Sequence, residues 1–170
     1  MRERNLYVFR FGKDINTDFI ISGRYKFAIT DMQELAKHLF EDIRPGFFSQ
    51  IKAVEPRKSI IVADENFGMG SSREQAPWVI KEAGIFCVIA KSFARIFYRN
   101  AFNIGLALVE ADTDGVSESD IVDIDFSQGV IFNKTKVARI EFRPWNKFQL
   151  QLVENGGIVN YLNRYHDFKI

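Results

Sequence analysis

The chain has 170 residues, 46% of them apolar and 14% aromatic, enough for one well-buried core and marginal for two, so one domain over residues 1–170 is expected. Lys and Arg number 23 against 22 Asp and Glu; the net charge of +1 is too small a field to hold a polyanion or an anionic membrane, and nucleic acid is not expected as a partner. No apolar run approaches the roughly 18 residues of a membrane span, and the opening residues, MRERNLYVFRFG, lack the apolar core of a signal peptide, which reads as a cytoplasmic protein.

Residues 6–11 are a strand candidate ended by Gly12, and the polar run 13–18 reads as loop. After Ile20-Ile21-Ser22-Gly23, the stretch Arg24-Tyr25-Lys26-Phe27-Ala28 reads as a second exposed loop. Met32, Leu35, Ala36, Leu39, Phe40 and Ile43 recur at three- and four-residue spacing, which predicts an amphipathic helix over 31–43, capped by Thr30 with Gln33 and stopped at Pro45-Gly46. Residues 59–64 and 85–90 are continuous apolar strands. Between and after them, 73–83 and 93–102 read as helices, the second with Phe93, Ile96, Phe97 and Phe102 inward. That alternation predicts parallel strands with crossover helices. Beyond Val109 the texture changes: 121–126, 130–132 and 137–142 are short strands divided by Ser127-Gln128-Gly129 and Asn133-Lys134-Thr135, the pattern of antiparallel hairpins. Residues 147–154 and 158–163 add a terminal helix broken at Gly156-Gly157.

The one cysteine, Cys87, lies inside an apolar strand and reads as a buried thiol; alone it can neither close an intramolecular disulfide nor hold an iron–sulfur cluster. His38 and His166 have no metal-ligand spacing and read as surface residues, so no metal site is expected within this chain.

The stretch that stands out is Gly68-Met69-Gly70-Ser71-Ser72-Arg73-Glu74, directly after the strand at 59–64. A glycine turn that enters a helix leaves backbone N–H groups pointing outward where the helix dipole is positive, a setting that favours anions. Arg73 adds a planar fork matched to a carboxylate or phosphate, and Ser71 and Ser72 add short hydroxyls. No Lys-Ser/Thr pair follows the second glycine as a phosphate-cradling loop requires, and the dinucleotide fingerprint does not fit either. A carboxylate ligand fits better than a nucleotide. Ser72 has a second reading, as the N-cap of the following helix with Gln75 closing a capping box.

The run 65–77, ENFGMGSSREQAP, followed by AKSFARIF at 90–97 and NAFNIGL at 100–106, resembles the small subunits of the aconitase superfamily, nearest to those of 3-isopropylmalate dehydratase and homoaconitase. Asp14-Ile15-Asn16-Thr17-Asp18, Ile20-Ile21 and Arg24-Tyr25 are similar to the N-terminal pattern of the same family. The matches cover most of residues 12–110 in order.

The resemblance implies an α/β swivelling domain of β/β/α layers, with a parallel sheet and a smaller antiparallel sheet. It implies a hydro-lyase subunit that isomerises a 2-alkylmalate with a separate large subunit, the latter carrying a four-iron, four-sulfur cluster that this chain lacks. By the same resemblance Ser71 is the base that takes the carbon-bound proton, Ser72 and Arg73 grip substrate carboxylates, and Asp18 holds the site together. Tyr25, Lys26, Phe27 and Ala28 correspond to the segment over the substrate's variable group. Apolar Phe27 and Ala28 suit a branched alkyl group, since burying a carboxylate against them without a cation is costly. That favours isopropylmalate or a dimethylmalate, whereas Lys26, whose ammonium can bind a further carboxylate, keeps open a substrate such as that of a homoaconitase. A non-catalytic carboxylate-binding domain is the alternative of another class. Gln75 stands where the family often has histidine, and Met69 where cysteine is frequent. Asn66, Lys91, Ser92, Arg95, Asn100 and Asn103 read as hydrogen-bonding scaffold, with Arg95 and Arg99 alternatively facing the large subunit.

Overall fold

The computed structural model describes residues 1–166. β1 (Arg2–Arg10) pairs in parallel with β2 (Ser59–Ala63), which pairs in parallel with β3 (Ile85–Ala90), and β3 with β4 (Ala107–Glu110). On its other edge β1 pairs antiparallel with β5 (Ile121–Asp125), which continues through β6 (Val130–Asn133) to β7 (Ala138–Glu141). The order β4-β3-β2-β1-β5-β6-β7 joins the expected parallel and antiparallel sets into one seven-stranded sheet. The change of texture beyond residue 109 is thus a change of strand direction within a sheet, not a step to a second one. Every residue of β2 is buried, as a strand flanked on both edges and covered on both faces requires.

Between β1 and β2 run α1 (Thr17–Ile20), α2 (Gly23–Lys26), α3 (Met32–Ala36) and α4 (Phe47–Ala53). The expected helix over 31–43 stops at Ala36. Lys37, His38 and Leu39 make i→i−3 bonds, and the amide of Phe40, at φ +56°, donates instead to Ile20 O at 3.0 Å. Leu35, Ala36, Leu39 and Phe40 are buried but Ile43 is 38% exposed, so the apolar pattern held through Phe40 and both its last member and the helix length were wrong. The cap is Asp31, whose carboxylate accepts from the Glu34 amide at 2.8 Å, and not Thr30 with Gln33. The stretch 24–28, expected as loop, includes the single turn α2, and α4 was not foreseen beyond Pro45-Gly46 although Phe47 and Ile51 bury one face.

The crossover helices are α5 (Gln75–Glu82) and α6 (Arg95–Asn103). In α6, Phe97 and Phe102 are buried as expected, but Ile96 is 45% exposed. The last elements among the described residues are α7 (Lys147–Glu154) and α8 (Ile158–Tyr165), divided at Gly156-Gly157 as expected. His166 is exposed, but His38 is half-buried and stacks on Tyr25, with ring centroids 4.0 Å apart. Cys87 is fully buried in β3, which pushes its thiol pKa far up and keeps it from acting as a thiolate. None of the described helices is long and apolar enough to cross a membrane.

Candidate active site

The loops that leave the C-terminal ends of β1, β2 and β3 meet at one edge of the sheet, the edge where open α/β sheets place their ligands. Two isolated parallel bridges, Asn16 with Met69 and Phe67 with Phe93, carry the strand order on into these loops. The Gly68–Gly70 turn is clamped from the β1 side. Gly68 N–H donates to Ile15 O at 2.7 Å, Thr17 N–H donates to Met69 O at 2.9 Å, and the buried Thr17 hydroxyl donates to Ser71 O at 3.0 Å. Asn16 caps α1 through the Phe19 amide and so fixes where Thr17 and Asp18 point.

Gly68 must be glycine. It sits at φ +81°, and a Cβ there would lie 2.2 Å from the Phe97 ring. The ring of α6 is thereby brought against the turn, and Ser71, Ser72, Arg73, Arg95, Ile96 and Arg99 come to line a single cleft of about 600 Å³. Ser71 and Ser72 are exposed to it. Among the described residues no protein acceptor takes the N–H of Ser71, Ser72 or Arg73. The residues that line the cleft include three arginines and no carboxylate.

Arg73 is held from behind. Its Nη2 lies 2.5 Å from Asp18 Oδ1 and its Nη1 donates to Ile21 O at 3.2 Å, with the side chain only 13% exposed. Two of its five N–H groups are thereby used and the remainder are free for an anion. α5 begins at Gln75 with Glu74 in the cap position and no side-chain cap bond, so Ser72 is not an N-cap and its hydroxyl is not consumed there. Pro77 falls in the first helical turn, where its missing N–H costs nothing.

Of the expected site residues, the structure brings Ser71, Ser72, Arg73 and Asp18 together. Tyr25, Lys26, Phe27 and Ala28 do not line the cleft in this chain. Arg24 pairs with Asp42 and Tyr25 stacks on His38, while Phe27 is 82% exposed with its ring edge over Gly23. Asn66, Lys91 and Ser92 do act as scaffold: Asn66 Nδ2 donates to Asp14 at 2.8 Å, its amide donates to Ser92 Oγ at 3.0 Å, and Lys91 pairs with Asp114 at 2.5 Å. Arg95 and Asn100 line the cleft instead. The sequence reading passes over Thr17, although it stands within the Asp14–Asp18 pattern; a hydroxyl residue directly before Asp18 is the only signal that pattern carries, and its burial emerges from the fold.

Residues 20–114 match the family model described as the aconitase C-terminal domain. The 3-isopropylmalate dehydratase small subunit 2 of Archaeoglobus fulgidus is 46% identical over 95% of this chain and 95% of its own length. The methanogen homoaconitase small subunit of Methanothermobacter thermautotrophicus is 47% identical over 91% of this chain and 87% of its own. The crystal structure of a 3-isopropylmalate dehydratase from Methanocaldococcus jannaschii superposes with a TM-score of 0.85 at 41% identity, covering 98% of this chain and 96% of that one. The chain belongs to the aconitase C-terminal domain family, in the group formed by the 3-isopropylmalate dehydratase and homoaconitase small subunits.

Proposed function

We propose that this chain is the small subunit of a cytoplasmic 3-isopropylmalate dehydratase, which interconverts 2- and 3-isopropylmalate by loss and return of water in leucine biosynthesis and is active only with its large subunit. The observation that carries the reading is the pair of free hydroxyls, Ser71 and Ser72, beside a half-engaged Arg73 in a cleft lined by no carboxylate.

Arg73 and the Ser72 hydroxyl bind one substrate carboxylate, with Asp18 holding the guanidinium plane. Ser71 Oγ, as alkoxide, takes the proton from the carbon beside that carboxylate. The C–H electron pair becomes the double bond, and hydroxide departs from the neighbouring carbon on the partner's side. Return of water at the other carbon completes the isomerisation, with Ser71 giving the proton back. A serine alkoxide is disfavoured in water. The free amides of residues 71–73 and the Arg73 charge stabilise it once a partner excludes solvent.

The residues of this chain do not fit the iron–sulfur cluster that the family resemblance implies. Its one cysteine is sealed in β3, and among the described residues no three of His, Cys, Asp and Glu stand together as metal ligands. Such a cluster belongs to the large subunit. Reconstitution with that subunit, followed by rates on isopropylmalate, dimethylmalate and homocitrate-type acids, tests the reading. Preference for isopropylmalate is expected; preference for a tricarboxylic acid assigns the chain to a homoaconitase, and binding without turnover of any of the three overturns the enzymatic reading.

A further inference from the structure

One hydroxyl at the cleft has a single use. Thr17 is 2% exposed, and the bond its side chain makes among the described residues is to Ser71 O at 3.0 Å. A buried hydroxyl without a partner is costly, so this side chain is committed to the loop. Inside a helix a threonine hydroxyl often turns back to the carbonyl one turn earlier. Thr17 is the first residue of α1, with no helical turn before it, and its hydroxyl reaches across to the glycine loop instead. The β-branch narrows the rotamers open to it.

Gly68 N–H on Ile15 O and Thr17 N–H on Met69 O are backbone rungs between the two loops, and the Thr17 hydroxyl adds a third rung on Ser71 O. That third rung decides which way one peptide faces. In a trans peptide the C=O and the N–H of the next residue point in opposite directions. With the Ser71 C=O drawn to Thr17, the Ser72 N–H points away from Thr17, it meets no acceptor among the described residues, and Ser72 itself is exposed in the cleft. Among the described residues nothing else bonds this peptide unit. Turned over, it would present a carbonyl oxygen where it now presents an N–H. Beside an alkoxide, that is the difference between a stabilising donor and a repelling acceptor.

We propose that Thr17 is a positioning residue for the Ser71 base: its hydroxyl locks the Ser71–Ser72 peptide with the N–H, not the C=O, toward the developing negative charge. The inference rests on the reading of Ser71 as the proton acceptor. Thr17 acts through the peptide and not on the substrate. Arg73 is braced separately, by Asp18 and Ile21 O, so loss of the Thr17 hydroxyl leaves carboxylate binding in place and removes stabilisation that belongs to proton transfer alone.

The test compares Thr17→Val, which keeps the shape and the β-branch but not the donor, with Thr17→Ser, which keeps the donor but not the methyl group. Both are assayed with the large subunit at a temperature where circular dichroism shows every chain folded, and the Ser72 amide is followed by heteronuclear NMR in the full chain alone. Thr17→Ala, which also lacks the donor, stands in if the valine variant does not fold. Thr17→Val should lower kcat about ten- to a hundredfold with KM within about threefold, and should move the Ser72 amide resonance. Thr17→Ser should keep kcat within about fivefold of wild type and leave the resonance in place. A Thr17→Val kcat within about threefold of wild type overturns the proposal. So do equal losses in the two variants, which mark packing, or a raised KM with unchanged kcat, which marks substrate binding. If the wild-type pair turns over no 2-alkylmalate, the functional reading fails and the amide decides alone. A Ser72 resonance that Thr17→Val leaves in place then overturns the orienting role, and one moved by Thr17→Val but not by Thr17→Ser upholds it.

Discussion

Arg73 and Asp18 meet across loops that leave two neighbouring parallel strands, Nη2 of the one 2.5 Å from Oδ1 of the other. The arginine is nearly enclosed and the carboxylate is about half exposed, so the pair adds little to stability but fixes a guanidinium plane. Asp18→Asn should lower the unfolding free energy by less than about 1 kcal/mol and lower kcat/KM of the reconstituted enzyme by about ten- to a hundredfold through misplaced substrate. Thermal melts and steady-state kinetics on the same preparation separate the two effects.

The two glycines of the turn should respond differently to alanine. Gly68→Ala combines φ +81° with a Cβ overlapping Phe97, whereas Gly70→Ala at φ +94° meets nothing closer than 3.5 Å. Denaturant titration should show a loss of about 3 kcal/mol or more for the first and about 1–2 kcal/mol for the second. Equal losses would mean that the turn can slide away from α6.

Residues 25–28 do not line the cleft in this chain, and we propose that their exposed tip reaches the substrate in the assembled enzyme and governs selectivity, while Tyr25 on His38 and Arg24 on Asp42 anchor the turn. Phe27→Arg is expected to raise kcat/KM for a tricarboxylic acid relative to isopropylmalate by about tenfold or more. Competition between the two acids measures the ratio directly.

Asp120, like Asp64 and Asp125, is a carboxylate held below its usual pKa, and together they make the fold acid-sensitive. At Asp120 burial works against the charge, but the Ser117 amide at 2.8 Å, Asn133 Nδ2 at 2.6 Å and Lys136 outweigh that and hold its pKa below the usual carboxylate value. A group with a depressed folded pKa contributes its stability above the unfolded pKa, about 4, and loses it as pH falls through the folded value. Urea midpoints of the wild type should therefore drop below about pH 4. Asp120→Asn should be less stable near neutrality and flatter in acid.

Much of this was legible in the sequence because burial and turn chemistry are local. The apolar runs gave β2 and β3, the Gly156-Gly157 pair divided α7 from α8, and the GMGSSRE stretch marked the loop at the cleft. What could not be read was settled by distant partners. Phe40 leaves the helix because Ile20 O captures its amide. One miss was local: Asp31 displaces Thr30 as cap because its carboxylate reaches the Glu34 amide three residues on. Ile96 carries a core residue's chemistry on a face that the fold leaves open beside the cleft. The resemblance assigned Asp18 to the site, but that its carboxylate would brace Arg73 beside Ile21 O followed from the strand order β2-β1, which no local pattern encodes.

The most direct test of the account is the dehydration rate of Ser71→Ala assembled with the large subunit. Removal of the proton acceptor should slow turnover of isopropylmalate by about a hundredfold to ten-thousandfold, with large-subunit affinity and melting temperature unchanged. Turnover within a few fold of wild type in a fully assembled complex would contradict it and take the proton-transfer role away from this loop.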